Sequence, residues 1–155
     1  MKKEIRLIAI LILATTVATA QYNNKINFNA LIDRTGHLVA EIEGIEGMIY
    51  IKQSLEVAPF VEGGYFATGT ALGLTKDLGI FQNHRIYAAP KLQFIVRGGN
   101  VYPSFGIEAG IDKTFWSGLI LGVRFTNDYR TDFDFWGGEA KWQPSGFFKV
   151  GWLIR

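Results

Sequence analysis

Few side chains here can carry acid–base or metal chemistry. The 155-residue chain holds two histidines, His37 and His84, and no cysteine. Both histidines sit beside turn signals, and neither has partners at metal-ligand spacing. His84 with Asp77 is the only local acid–base pair, and a solvated turn histidine is its simpler reading. Asp128, Asp132 and Asp134 fall within one hairpin and suit a hard cation such as calcium. A calcium loop supplies about six or more oxygens in a fixed order, so the preferred reading is a charged turn. Glu108 and Glu139 read as partners of nearby cations rather than as general acids. No H-E-x-x-H, G-x-S-x-G or phosphate-binding glycine loop is present. The sequence therefore predicts no catalytic, metal-binding or cofactor-binding residue, and no enzyme.

The elements that hold these residues begin with an export signal. Lys2, Lys3 and Arg6 precede the apolar run Leu7 to Leu13, and small residues lead to Ala18-Thr19-Ala20. That order predicts a cleaved signal peptide over residues 1–20; the apolar run is shorter than the ~20 residues of a membrane-spanning helix. Its loss removes Lys2, Lys3, Arg6 and Glu4, turning 16 cations and 14 acids into thirteen of each. The formal charge of +2 thus belongs to the signal. With a neutral mature chain, the case for a nucleic-acid partner disappears.

After Gln21 the apolar residues alternate with a period of two, the mark of half-buried strands. Leu119, Leu121, Val123 and Phe125 face away from Gly118, Gly122, Arg124 and Thr126. Phe105, Ile107, Ala109 and Ile111 oppose Ser104, Gly106, Glu108, Gly110 and Asp112. Phe148, Val150, Trp152 and Ile154 oppose Lys149 and Gly151. Similar segments run over 38–43, 49–57, 65–75, 88–96 and 134–142, divided by Gly-, Asn- and Asp-rich turns. These make eight strands over a domain spanning 37–155, the longest connection being about Lys76 to Asn83. Residues 25–32 also alternate. Because an even strand number returns both ends of a bacterial barrel to one side, residues 21–36 read as an N-terminal extension, with an extra strand as the alternative. Pro90 falls in mid-strand, where a bulge would accommodate it.

Eight strands suffice to close a sheet. The fold class expected is all-β: a closed, antiparallel, up-and-down transmembrane barrel with short hairpin loops. The less apolar face combines glycines with Lys52, Glu56, Lys91, Arg97, Glu108, Arg124, Glu139, Lys141 and Lys149. Glycine has little use on a wet exterior, but beside long charged groups it makes room inside a narrow lumen. These nine residues are read as an internal charge network, with Glu41 and Glu43 adding acids. The apolar face would then meet lipid, with Phe60, Tyr65, Phe115, Trp116, Tyr129, Trp136, Trp142 and Trp152 as an aromatic girdle at headgroup level.

The signal peptide, the glycine–aromatic alternation and segments such as Val61-Glu62-Gly63-Gly64-Tyr65 and Gly146-Phe147-Phe148-Lys149-Val150-Gly151-Trp152 resemble the small eight-stranded outer-membrane barrels of the OmpX and OmpA-barrel type. They are also similar to short barrels of Bacteroidetes bacteria. The last strand of that type usually ends on an aromatic; here Trp152 is followed by Leu153, Ile154 and Arg155. The resemblance implies a monomer in the bacterial outer membrane, among lipid and lipopolysaccharide, inserted by the barrel-assembly machinery and without catalysis. Two rivals are a secreted lipocalin-like barrel with an apolar ligand pocket and a lipid enzyme acting at the rim through His84.

Overall fold

The computed structural model describes residues 25–58, 64–79, 83–133 and 139–154. They form eight strands: β1 (Lys25–Asp33), β2 (Leu38–Glu46), β3 (Ile49–Ala58), β4 (Tyr65–Leu78), β5 (His84–Arg97), β6 (Asn100–Thr114), β7 (Leu119–Arg130) and β8 (Lys141–Ile154). Each pairs antiparallel with its sequence neighbours, and β1 closes on β8 through pairs from Ile26–Ile154 to Asp33–Phe147. Strands of 9 to 15 residues match or exceed the ~9–11 that cross a bilayer.

The even count arises differently from the sequence reading. Residues 25–33 are a barrel strand, not an extension: Asn27, Asn29 and Leu31 point inward while Phe28, Ala30 and Ile32 point outward. Lys141 and Trp142 begin β8 rather than ending a separate strand, and residues 134–138 lie outside the described residues. The proposed signal, residues 1–20, also lies outside them. Asn127 to Arg130 continue β7 instead of forming a turn, and β8 begins at Lys141.

Local sequence sets the hairpins. Gly98 and Gly99 take φ of 56° and 81°, the left-handed pair that a two-residue primed turn requires. Between β1 and β2, Asp33 Oδ1 accepts from the Thr35 and His37 amides at 2.8 and 2.9 Å, and Gly36 supplies a φ of 84°.

Pro90 makes no bulge. The β4–β5 register is the same on both sides of it, from Ala71–Lys91 to Leu74–Ala88, and the ladder lapses only between. Here the strands approach closely, since a Cβ on Gly73 would lie 2.3 Å from the Ala88 carbonyl oxygen and 2.4 Å from Ala89 Cβ. A residue without an N–H weakens the ladder, and a residue without Cβ lets the walls close across it.

The outer face is apolar. Phe28, Leu55, Leu72, Ile107, Phe125, Phe148 and Val150 are all exposed. Gln53, a polar side chain on this face, donates to Thr68 Oγ1 at 2.8 Å and accepts from Thr70 Oγ1 at 2.7 Å.

Candidate functional site: the charged lumen and its mouths

The period-two pattern sends the other half of each strand inward, and the lumen it fills is charged. Among the described residues the buried ionisable carboxylates are Glu41, Glu43, Glu56, Glu108, Asp112, Asp128 and Asp132. The buried cations are Lys52, Arg85, Lys91, Arg97, Arg124, Arg130 and Lys149. Seven face seven. Buried charge is tolerable only when paired and hydrogen-bonded, and the pairing is organised in levels.

Nearest the chain termini, Glu43 and Asp112 alternate with Arg85 and Lys149. Arg85 bonds Glu43 Oε1 and lies 2.5 Å from Asp112 Oδ2; Lys149 Nζ lies 3.2 Å from Glu43 and 2.9 Å from Asp112. One level further in, Glu41 and Glu108 alternate with Lys52 and Arg124. Lys52 Nζ is 2.9 Å from Glu41 and 2.5 Å from Glu108, and Arg124 bonds Glu41 and stands 3.9 Å from Glu108. Each level is a four-membered ring in which every charge has two opposite neighbours. Tyr50 donates to Glu108 at 3.0 Å, and the Tyr87 ring lies under Arg85 and Lys149. The first ring links β2, β5, β6 and β8 across the lumen, and the second β2, β3, β6 and β7.

The third level, at the mouth opposite the termini, is more open. Lys91 pairs with Asp128 at 2.8 Å, and Arg97 and Arg130 share Asp132 at 2.9 and 2.7 Å. Tyr65 donates to Glu56 at 2.5 Å and accepts from Arg130 at 3.1 Å. His37 Nδ1 lies 3.2 Å from Asp33, 3.5 Å from Glu56 and 3.4 Å from the Tyr65 hydroxyl.

Glycine has a specific place in this arrangement. Gly122, Gly106, Gly151 and Gly110 stand directly across the ladder from Asp112, Asp128, Asn29 and Tyr87. The oxygen of each partner that lacks a hydrogen bond is the atom a glycine Cβ would meet, at 2.2, 2.2, 2.0 and 2.4 Å respectively. The missing side chains are seats for polar oxygens, which lie where a Cβ would otherwise stand.

Of the nine charges expected inside, Lys52, Glu56, Lys91, Arg97, Glu108, Arg124 and Lys149 are buried in the lumen. Glu139 and Lys141 are not: both are exposed. Glu139 precedes β8, and Lys141, its first residue, stands above the wall with Nζ 4.8 Å from the Phe133 ring. The sequence reading missed Arg85, Asp112, Asp128, Arg130 and Asp132 as network members. The first four continue an alternation already visible within their strands; Asp132 lies beyond the end of β7 and has no such signal.

The expected girdle divides. Trp142 packs on Tyr129 and Phe105 with ring centroids 5.5 and 5.9 Å apart on the outer face. Trp152 is half exposed there, and Trp116 is 95% exposed in the β6–β7 turn beside Phe115. Tyr65 is a correction, since its odd position on β4 turns it into the lumen, 7% exposed. Phe60 and Trp136 lie outside the described residues. His84 stands at the terminal end and His37 at the opposite one, so the two histidines do not converge. A pocket lined by apolar side chains, as a lipocalin-like barrel needs, is replaced by charge, because the alternation runs with its apolar half outward.

No model of a known protein family matches the chain, and no curated protein shows significant similarity to it. Its fold is similar to that of a de novo designed transmembrane β-barrel, with a TM-score of 0.55 at 7% identity over 84% of this chain and 93% of that one. It is also similar to the Yersinia pestis outer-membrane protein Ail in a phospholipid bilayer nanodisc, with a TM-score of 0.52 at 7% identity over 84% and 97%. At such identities the likeness is one of fold, and the fold it shows is the closed, eight-stranded, antiparallel barrel of membrane proteins.

Proposed function

We propose that this chain is an exported integral outer-membrane barrel, monomeric and non-catalytic, whose lumen is closed by its own side chains and whose role is structural or one of surface interaction. One observation carries the reading: the closed wall has its apolar half outside and seven buried carboxylates facing seven buried cations inside. A water-soluble barrel gains nothing from that inversion, whereas lipid contact demands it, because a charge facing mid-bilayer costs about 2–4 kcal/mol. The two membrane barrels of similar fold support it.

The two ion rings argue against a pore and against catalysis alike. Their carboxylates are clamped between cations, which suits a plug rather than a poised acid or base. The outer aromatics Phe105, Tyr129, Trp142 and Trp152 suit a headgroup girdle, and residues 1–20 suit export. Surrounding lipid and lipopolysaccharide, and the barrel-assembly machinery, are the partners this reading entails.

Refolded in detergent and run unboiled, the protein is expected to migrate faster than the boiled sample, and cells are expected to hold it in the outer-membrane fraction. Recovery as a soluble periplasmic protein, folded without detergent, would overturn the proposal.

A further inference from the structure

The mouth opposite the termini contains a pocket of about 490 Å³ that the plug does not need. Its volume falls within the ~300–1,000 Å³ range of small-molecule sites. Among the described residues its charged lining is Arg34, Arg97 and Arg130 against a single carboxylate, Asp33. That carboxylate is already engaged: Oδ1 accepts from the Thr35 and His37 amides, and Oδ2 from the Thr35 hydroxyl and the His37 ring.

The two inner arginines are held in place. Arg130 grips Asp132 with Nε and Nη2 at 2.7 and 2.8 Å, and Arg97 reaches the same carboxylate at 2.9 Å. Both guanidinium groups also lie against the Tyr65 ring, at 4.4 and 5.1 Å from its centre. Asp132 and, through the Tyr65 hydroxyl, Glu56 balance these two guanidinium groups and hold them rigid; Arg34 adds an exposed cation at the lip, and the planar fork of arginine is suited to carboxylate and phosphate.

His37 lines the same pocket. Everything near Nδ1 is an acceptor: two carboxylates, and a tyrosine hydroxyl whose own proton goes to Glu56. The ring is thus held from its Nδ1 side and adds a polar edge to the lining. Rigid cationic donors gathered on one pocket wall describe a receptor for an anion.

We infer that this mouth binds a small anion, a carboxylate or phosphate in chemical class, which meets Arg34, Arg97 and Arg130. The inference rests on the membrane-barrel reading for the direction in which the mouth opens, and names the kind of surface interaction it serves.

The test is calorimetric titration of the protein in non-ionic detergent with glucuronate, inorganic phosphate and glucose at one ionic strength. The unboiled gel shift shows beforehand that the barrel is folded, so a failure of the fold is distinct from a failure of the site. Both anions are expected to bind and glucose not to. Arg97→Gln is expected to weaken binding at least tenfold, about the value of one charge-assisted contact. Arg34→Gln, at an exposed side chain that carries none of the fold, is expected to weaken it by a smaller factor. Folded protein that binds neither anion, binds glucose equally, or binds the anions unchanged in both variants overturns the inference. Repeating the titration in phosphatidylcholine nanodiscs with and without phosphatidylglycerol separates the two sources of such a group. A dissolved ligand keeps its glucuronate affinity in both, while a lipid headgroup occupying the mouth lowers it only where the anionic lipid is present; either result upholds the site.

Discussion

Glu43→Ala is expected to destabilise the barrel by about 3–5 kcal/mol, the usual cost of removing one partner from a buried ion pair. Glu43 accepts from both Arg85 and Lys149 and lies 3.5 Å from the amides of Asn27 and Asn29. Without it two buried cations share Asp112 alone. The loss should therefore come from uncompensated charge, and a second change can show this. Glu43→Ala combined with Lys149→Met restores the balance of the ring, and is expected to be more stable than the sum of the single changes by more than 0.5 kcal/mol, roughly the limit of additivity for independent sites. Urea unfolding of the protein in phospholipid vesicles measures both. Glu46→Ala, at an exposed position on the same strand, is the control and should stay within about 0.5 kcal/mol. If Glu43→Ala behaves like that control, the rings contribute nothing to the closed lumen.

A second large effect belongs to a residue with no side chain. Gly106→Val is expected to cost about 3 kcal/mol or more, at the upper end of what overpacking a filled interior costs. Its Cβ would lie 2.2 Å from Asp128 Oδ1, 2.5 Å from the Asn127 carbonyl oxygen and 2.8 Å from Asp128 Cα. A rotamer change can relieve only the first of these contacts. The β6–β7 wall has to move, and the Lys91–Asp128 pair moves with it. Gly146→Ala, by contrast, places its Cβ in open space and should be neutral within about 0.5 kcal/mol. Strand propensity alone favours replacing glycine at both positions. The difference between them therefore isolates the seat that Gly106 provides. The fraction running as the folded band after refolding, together with the urea midpoint, reads it out.

What could be read from the sequence follows from how local each signal is. The alternation of β6, β7 and β8 assigns each residue to a face without knowledge of its neighbours, so the inward places of Glu108, Arg124 and Lys149 were legible. Register is not local. That Glu43 meets Arg85 and Lys149, far apart in the chain, depends on how the sheet closes, and no spacing in the sequence records it. Turn signals also competed with alternation: Asn127-Asp128 reads as a hairpin, yet both residues stay in β7 because Asp128 is held across the lumen by Lys91. Tyr65 was assigned to the rim by its residue type, whereas its odd position on β4 turns it inward. The closing strand, residues 25–33, is visible as an alternation but reads as an extension, because the alternation over 134–142, whose last two residues begin β8, already completes an even count.

In a membrane the apolar half of the wall is expected to face lipid and the charged half a closed interior. Because the chain has no cysteine, single cysteines can be placed and spin-labelled one at a time at Phe105, Ile107, Ala109 and Ile111 on β6, with the protein in liposomes. All four are exposed, and the label there adds to the outer surface without entering the lumen. Collision with oxygen, which concentrates in hydrocarbon, against collision with a water-soluble nickel chelate measures which medium each position meets. The result expected is high oxygen and low chelate accessibility at Ile107 and Ala109, with the chelate rising towards one end of the strand. High chelate accessibility at all four positions in folded, liposome-associated protein would contradict the claim, because the apolar face would then be in water.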